Sequence, residues 1–208
     1  YNKSIKTFVE IGSSDFNTLL PLCRNGWRGV LVEPIPLLAE NIQKKIAAEG
    51  LQAAVVNMAV SDHDGELQMR KILGHEHLGL VDSQTCSDNF ESIWFRGTSH
   101  VDLSSTGEKY GIPSNEHLSF EDITVKCIKL NTLIEKLEID NIDFMQIDVE
   151  GHELHILENY DFRIRPMIIK VEHEHMAANG RDLKDIVELL KENKYKTFVE
   201  EKDVYGIY

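Results

Sequence analysis

Cysteine is scarce in this 208-residue chain: Cys23, Cys86 and Cys127 are all there is. An odd number of widely spaced thiols builds neither a disulfide framework nor a zinc-knuckle pair, so a reducing, cytoplasmic compartment is expected. Dense Lys/Arg clusters are also missing, and the formal net charge is -13. A chain this acidic repels phosphate backbones, which excludes nucleic acid as an expected partner. No apolar run exceeds strand length, so no membrane span is expected. What the chain does have is 42% hydrophobic residues, enough for one globular domain over residues 1–208 with a real core.

Strand and helix patterns alternate along the first third. Lys6–Ile11 reads as a buried strand, broken at Gly12-Ser13-Ser14-Asp15. Phe16–Arg24 has helical apolar spacing, Arg28–Val32 is a second strand, Leu37–Glu49 a helix closed by Gly50, and Gln52–Val60 a third strand. This βαβαβ order implies parallel strands with helices on both faces. The rhythm then fails over about 70–122, which carries many Gly, Ser and Thr and reads as an insertion facing the substrate. It resumes with a strand at Ile123–Leu130, a short helix at Asn131–Leu137, a central strand at Ile142–Ile147, a helix at His152–Asn159, a strand at Met167–Val171 and an amphipathic helix at Arg181–Asn193. Lys196–Glu200 and Val204–Tyr208 form a closing antiparallel hairpin. The fold class is therefore α/β and Rossmann-like, with a mostly parallel sheet.

In such a sheet ligands bind beyond the carboxyl ends of the strands. Those ends carry Glu10 and Gly12, then Glu33 and Pro34, then Asn57, Ala59 and Val60, then Asp148 and Glu150, and finally Glu172 and His173. Gly12 permits close approach of backbone to a ligand, although Ser14 replaces the second glycine of a full G-x-G-x-x-G turn. Glu33, at the end of the next strand, suits both hydroxyls of an unphosphorylated ribose. Ser13 and Asp15 complete the turn. The acid at Asp15 argues against a pyrophosphate cofactor such as NAD and suits the cationic sulfonium and amino-acid end of S-adenosylmethionine.

Five blocks carry a resemblance. Phe8–Thr18 (FVEIGSSDFNT), Val30–Pro34 (VLVEP), Asn57–Asp62 (NMAVSD) with Gly65, and Ile147–Glu153 (IDVEGHE), followed by Ile169–Glu172 (IKVE), are similar in content and order to the FkbM-like methyltransferases. The resemblance implies a class I methyltransferase fold, S-adenosylmethionine as donor, and an oxygen acceptor on a sugar, glycan or natural product. Phe16, Asn131 and Gln146 depart from the family pattern.

The expected cofactor-binding residues are thus Glu10, Gly12, Ser13, Asp15, Glu33, Pro34, Asn57, Ala59, Val60 and Asp148. Asp148, Glu150 and His173 are the catalytic candidates, with the histidine as base for the acceptor hydroxyl. Asp148, Glu172 and His173 form a candidate site for a divalent metal, Mg²⁺ or Mn²⁺. His152 and His155 make H-E-x-H rather than H-E-x-x-H, which does not support a zinc hydrolase. Two other readings stand beside methyl transfer: a nicotinamide-dependent oxidoreductase, and a non-catalytic cofactor-binding module of the same fold.

Overall fold

The computed structural model describes residues 5–14, 18–72, 120–174, 176 and 181–208. Its centre is a seven-stranded sheet. The first four strands, in chain order, are β1 (Thr7–Ile11), β2 (Arg28–Val32), β3 (Ala53–Val56) and β7 (Phe144–Ile147). They are joined by β8 (Ile168–Glu172), β9 (Lys196–Val199) and β10 (Asp203–Ile207), in the spatial order β3-β2-β1-β7-β8-β10-β9. All neighbours from β3 to β8 pair in parallel, while β10 runs antiparallel to both β8 and β9. The chain steps outward from β1 to β3, then returns to the other side of β1 at β7. That reversal places the switch point, where ligands enter such sheets, between the ends of β1 and β7.

Among the described residues five helices cover the sheet: α1 (Leu20–Cys23), α2 (Pro36–Glu49), α3 (Leu130–Lys136), α4 (Glu153–Glu158) and α5 (Leu183–Glu192). Alternation along β1 decides which face each residue serves. Phe8 packs with Leu31, Leu20, Cys23 and Ile42, the side of α1 and α2. Val9 and Ile11 pack with Leu133, Leu154, Ile156, Ile186 and Leu190, the side of α3, α4 and α5. The mid-strand glycine Gly29 is explained by the first face, because a Cβ there would lie 2.1 Å from the Phe8 ring.

Three expectations need correction. The helix expected over Phe16–Arg24 is described only at Leu20–Cys23, with Pro21 in its first turn. Proline has no N–H to give to a preceding turn, so the helix starts beside it; Asp15, Phe16 and Asn17 lie outside the described residues. The single third strand expected over Gln52–Val60 is two strands. β3 stops at Val56, Asn57 turns its amide onto the Glu33 and Pro34 carbonyls, and β4 (Ala59–Ser61) enters a second sheet. The strand expected at Ile123–Leu130 is β6 (Phe120–Lys129), which lies in that second sheet, parallel to β4 and antiparallel to β5 (Gly65–Ile72). The expected insertion therefore starts and ends inside a hairpin-like pair, and residues 73–119 lie outside the described residues. No helix among the described residues is long and apolar enough to cross a membrane.

Candidate active site

Gly12 sits at the switch point with φ +80°, and its N–H donates to the Val32 carbonyl at 3.0 Å. A Cβ at this position would fall 1.7 Å from the Asp148 carbonyl oxygen. Glycine is thus required twice, by backbone conformation and by the close passage of the chain after β7. Ser14, also at positive φ, donates its N–H to Glu33 Oε2 at 2.9 Å. Glu33 Oε1 accepts from the Ile35 N–H at 2.8 Å. One buried carboxylate, 4% exposed, therefore ties the turn after β1 to the loop after β2. Asn57 braces the same loop from behind, donating Nδ2 to the Glu33 carbonyl at 2.9 Å and the Pro34 carbonyl at 3.0 Å.

These loops wall a cleft of about 820 Å³, counted out to its open mouth. Gly12, Ser13, Glu33, Pro34, Ala59, Val60 and Asp148, all expected from sequence to bind the cofactor, line it. So does Glu150. Glu10 and Asn57 do not; they support the walls. Glu10 is fully buried under the turn, and its Oε2 accepts from the Leu19 N–H at 2.9 Å. Burial pushes its carboxyl up to about 8. Asp15 lies outside the described residues.

The opposite wall is acidic. The loop after β7 places Glu150 at φ +59° and Gly151 at φ +105°. Glu153 holds it: Oε1 accepts from the Val149 N–H at 2.9 Å and the Gly151 N–H at 3.0 Å. Among the described residues Asp148, Glu153 and Glu172 bring one oxygen each within 4.8 Å of the others. Burial raises the Glu153 carboxyl to about 7 against the pull of its backbone hydrogen bonds. Burial, with the charges of Asp148 and neighbouring acids, also raises Glu150 and Glu172.

His173 is not brought to this cleft. Its Nε2 is 3.4 Å from the Glu200 carbonyl, on the β9–β10 hairpin side, and its N–H donates to the Lys202 carbonyl. His175 lies outside the described residues. The imidazole that lines the cleft is His152, which the sequence reading considered only for zinc. Its Nε2 lies 3.3 Å from Ser61 Oγ, Ser61 Oγ donates to Asp62 Oδ1 at 3.1 Å, and the ring stacks on His155 at 4.6 Å. Burial and the neighbouring His155 pull His152 down to about 4. Also absent from the sequence reading are the apolar lining residues Ile35, Leu38, Met58, Leu67 and Met69. Leu67 and Met69 belong to β5, whose polar-apolar alternation was the available signal.

Comparison with known proteins gives a family and several similarities. The family model described as the methyltransferase FkbM domain matches residues 8–197. The hexuronic acid methyltransferase AglP of Haloferax volcanii is 32% identical over 75 residues, which are 36% of this chain and 30% of that protein. The chain thus matches less than a third of the length of that curated relative. Among solved structures, the precorrin-6y C5,15-methyltransferase of Geobacter metallireducens aligns over 98% of this chain and 79% of its own, at 11% identity and TM-score 0.44. The N-terminal domain of human METTL16 in complex with SAH aligns over 98% and 60%, at 12% identity and TM-score 0.47. The Gly12 turn, the Glu33 loop and the Asp148–Glu153 loop all fall within the span of the family match, and the chain belongs to the FkbM methyltransferase family.

Proposed function

We propose that the protein uses S-adenosylmethionine to methylate a hydroxyl of a sugar or glycan. The observation that carries the donor assignment is Glu33, a buried carboxylate at the end of β2 that faces the cleft beside the Gly12 turn. The Ser14 and Ile35 N–H groups each donate to one of its oxygens, which fixes the carboxylate at the strand end, the position that suits ribose hydroxyls. Ile35, Leu38 and Met58 supply the apolar surface an adenine ring needs. The hexuronic acid relative supports a sugar as acceptor class.

In the transfer, the acceptor oxygen forms a bond to the methyl carbon as the carbon–sulfur bond breaks. Sulfur keeps the electron pair, and the hydroxyl proton must leave. Alignment of the three atoms supplies most of what the protein adds. We assign the proton to His152. Hydrogen bonds from His63 and Ser61 hold the Asp62 carboxyl below its usual range, so it is an acceptor only. Ser61 O–H then donates to Asp62, and its oxygen accepts Nε2–H of His152. The imidazole is left with its lone pair on Nδ1. Burial keeps the ring neutral throughout the physiological range. As the new C–O bond forms the oxygen becomes far more acidic than an imidazolium, so even a base of low pKa takes its proton.

Calorimetric titration tests the donor. S-adenosylhomocysteine should bind and NAD should not; the reverse result would move the protein to nicotinamide chemistry. A labelled-methyl assay against uronic-acid-containing glycans tests the acceptor. The product should be an alkali-stable methyl ether, whereas an alkali-labile ester would remove the need for His152 as base.

A further inference from the structure

We infer that the carboxylates of Asp148, Glu153 and Glu172 form a binding site for a hard divalent cation, Mg²⁺ or Mn²⁺, beside the cleft that Asp148 lines. Their donor oxygens, one from each, lie within 4.8 Å of one another. They come from three different elements: the loop after β7, the start of α4 and the end of β8. Surface acids gather without consequence, but Glu153 is 1% exposed. Its Oε1 is spent on two backbone N–H groups, while Oε2 is buried with no hydrogen-bond partner. Glu172 Oε2 is likewise buried and unpartnered. Buried acceptor atoms left unpaired cost stability and call for an explanation such as a bound ion.

Among the described residues, Lys170 and Lys202 near this wall are engaged by other acids. Lys170 pairs with Asp203 at 3.1 Å, and Lys202 with Glu174 at 2.7 Å. A proton shared between two carboxyls would give one O–H a partner and leave the third acid unchanged. A cation takes an oxygen from all three. Carboxylate-only ligation selects a hard ion over zinc or copper. The structure also changes the ligand set expected from sequence: Glu153 takes the place of His173, whose ring is directed to the β9–β10 hairpin.

The ion site does not rest on the methyl-transfer reading. One consequence does: Asp148 also lines the cleft, so a cation there brings positive charge beside the place of an anionic sugar.

The test is titration of the metal-stripped full chain with Mn²⁺, followed by the electron paramagnetic resonance signal of the free ion. One saturable site is expected, displaced by excess Mg²⁺. Glu153→Gln keeps the oxygen that accepts from Val149 and Gly151 and loses the charge; Glu172→Gln is the second variant. Each should weaken Mn²⁺ at least tenfold with a cooperative thermal melt retained, while His173→Ala leaves the affinity unchanged. Binding that is the same in both Gln variants would be loose association with an acidic protein, and would overturn the site. So would the absence of saturation below about 1 mM, the weak end of protein cation sites. S-adenosylhomocysteine titration on the same sample is read separately: Mn²⁺ binding without it retains the ion site and removes the donor reading.

Discussion

The two walls of the cleft are built on opposite terms. On the β1–β2 side the groups that tie the rim together are paired within the chain, while Glu10 Oε1 and Ser14 Oγ are buried without a hydrogen-bond partner. Glu33 accepts two backbone N–H groups, Asn57 donates to two carbonyls, and Gly12 donates to Val32. On the β7–β8 side, carboxylates crowd one another, and Glu153 and Glu172 each have a buried oxygen without a hydrogen-bond partner. A satisfied wall is preorganised and asks nothing of its ligand but shape and acceptor positions. An unsatisfied one stores unfavourable free energy that a ligand, proton or ion relieves. The difference separates donor recognition from the part of the site that meets something charged.

The sharpest way to break this division is at the seam between the walls. Gly12→Ala puts a methyl 1.7 Å from backbone that cannot move aside, at a φ of +80°. Strain and overpacking together cost on the order of 3 kcal/mol or more. Thermal melting should show a large loss of stability, and S-adenosylhomocysteine binding should vanish. A variant that melts like the parent and still binds would show that the walls do not depend on the seam.

Glu10 tests whether burial of an unpaired acid is costly on the donor side too. Its Oε1 has no partner and burial raises its carboxyl to about 8. Below the unfolded value of 4.5 the group is protonated in both states and costs nothing. As pH rises towards 8 the unfolded chain releases the proton and the folded chain holds it, so stability falls across that window. Glu10→Gln keeps an acceptor for the Leu19 N–H and removes the titration. We expect little difference from the parent near pH 4.5 and a more stable variant at pH 8, by on the order of 2–5 kcal/mol. Parallel stability profiles across this window would refute the assignment.

Glu33→Ala probes recognition itself. It removes a charge-assisted acceptor from the cofactor and the clasp between Ser14 and Ile35. Affinity for S-adenosylhomocysteine should fall by about 1.5–3 kcal/mol, roughly 10- to 150-fold. Unchanged affinity in a folded variant would sink the ribose assignment.

The sequence made the satisfied wall more legible than the other. Gly12, Glu33 and Asp148 stand at strand ends, and strand ends follow from alternation and breakers, which are local signals. The order β1-α1-β2-α2-β3 and the C-terminal hairpin were readable for the same reason. The branch at Asn57 was not, because one Asn inside a largely apolar run does not reveal that its side chain bonds another loop. The roles proposed for His152 and Glu153 were not legible because they depend on distant partners: Ser61 for the imidazole, and Glu172 with Asp148 for the carboxylate. His173 looked favourable for the converse reason. It stands next to a strand end, but pairing of β8 with β10 draws its backbone N–H to Lys202 and sets its ring beside Glu200.

Asn57 gives the smallest effect and the finest test of preorganisation. It is not among the residues lining the cleft, yet its two N–H bonds hold the carbonyls of Glu33 and Pro34 and so set the angle of the loop. Asn57→Ala loses both bonds at a site open to water, where the released carbonyls are rehydrated. The expected cost is about 0.5–1.5 kcal/mol, seen as a drop of a few degrees in melting temperature and a several-fold weaker S-adenosylhomocysteine affinity. Asn57→Asp separates the explanations. It is nearly isosteric, but as a carboxylate it donates nothing and sets a negative charge against two carbonyl oxygens. If Asn57 acts by donating, Asp must bind more weakly than Ala; if it acts by filling space, Asp must resemble the parent. The satisfied wall owes its order to hydrogen bonds in the first case and to packing in the second, and the rank of the two variants decides between them.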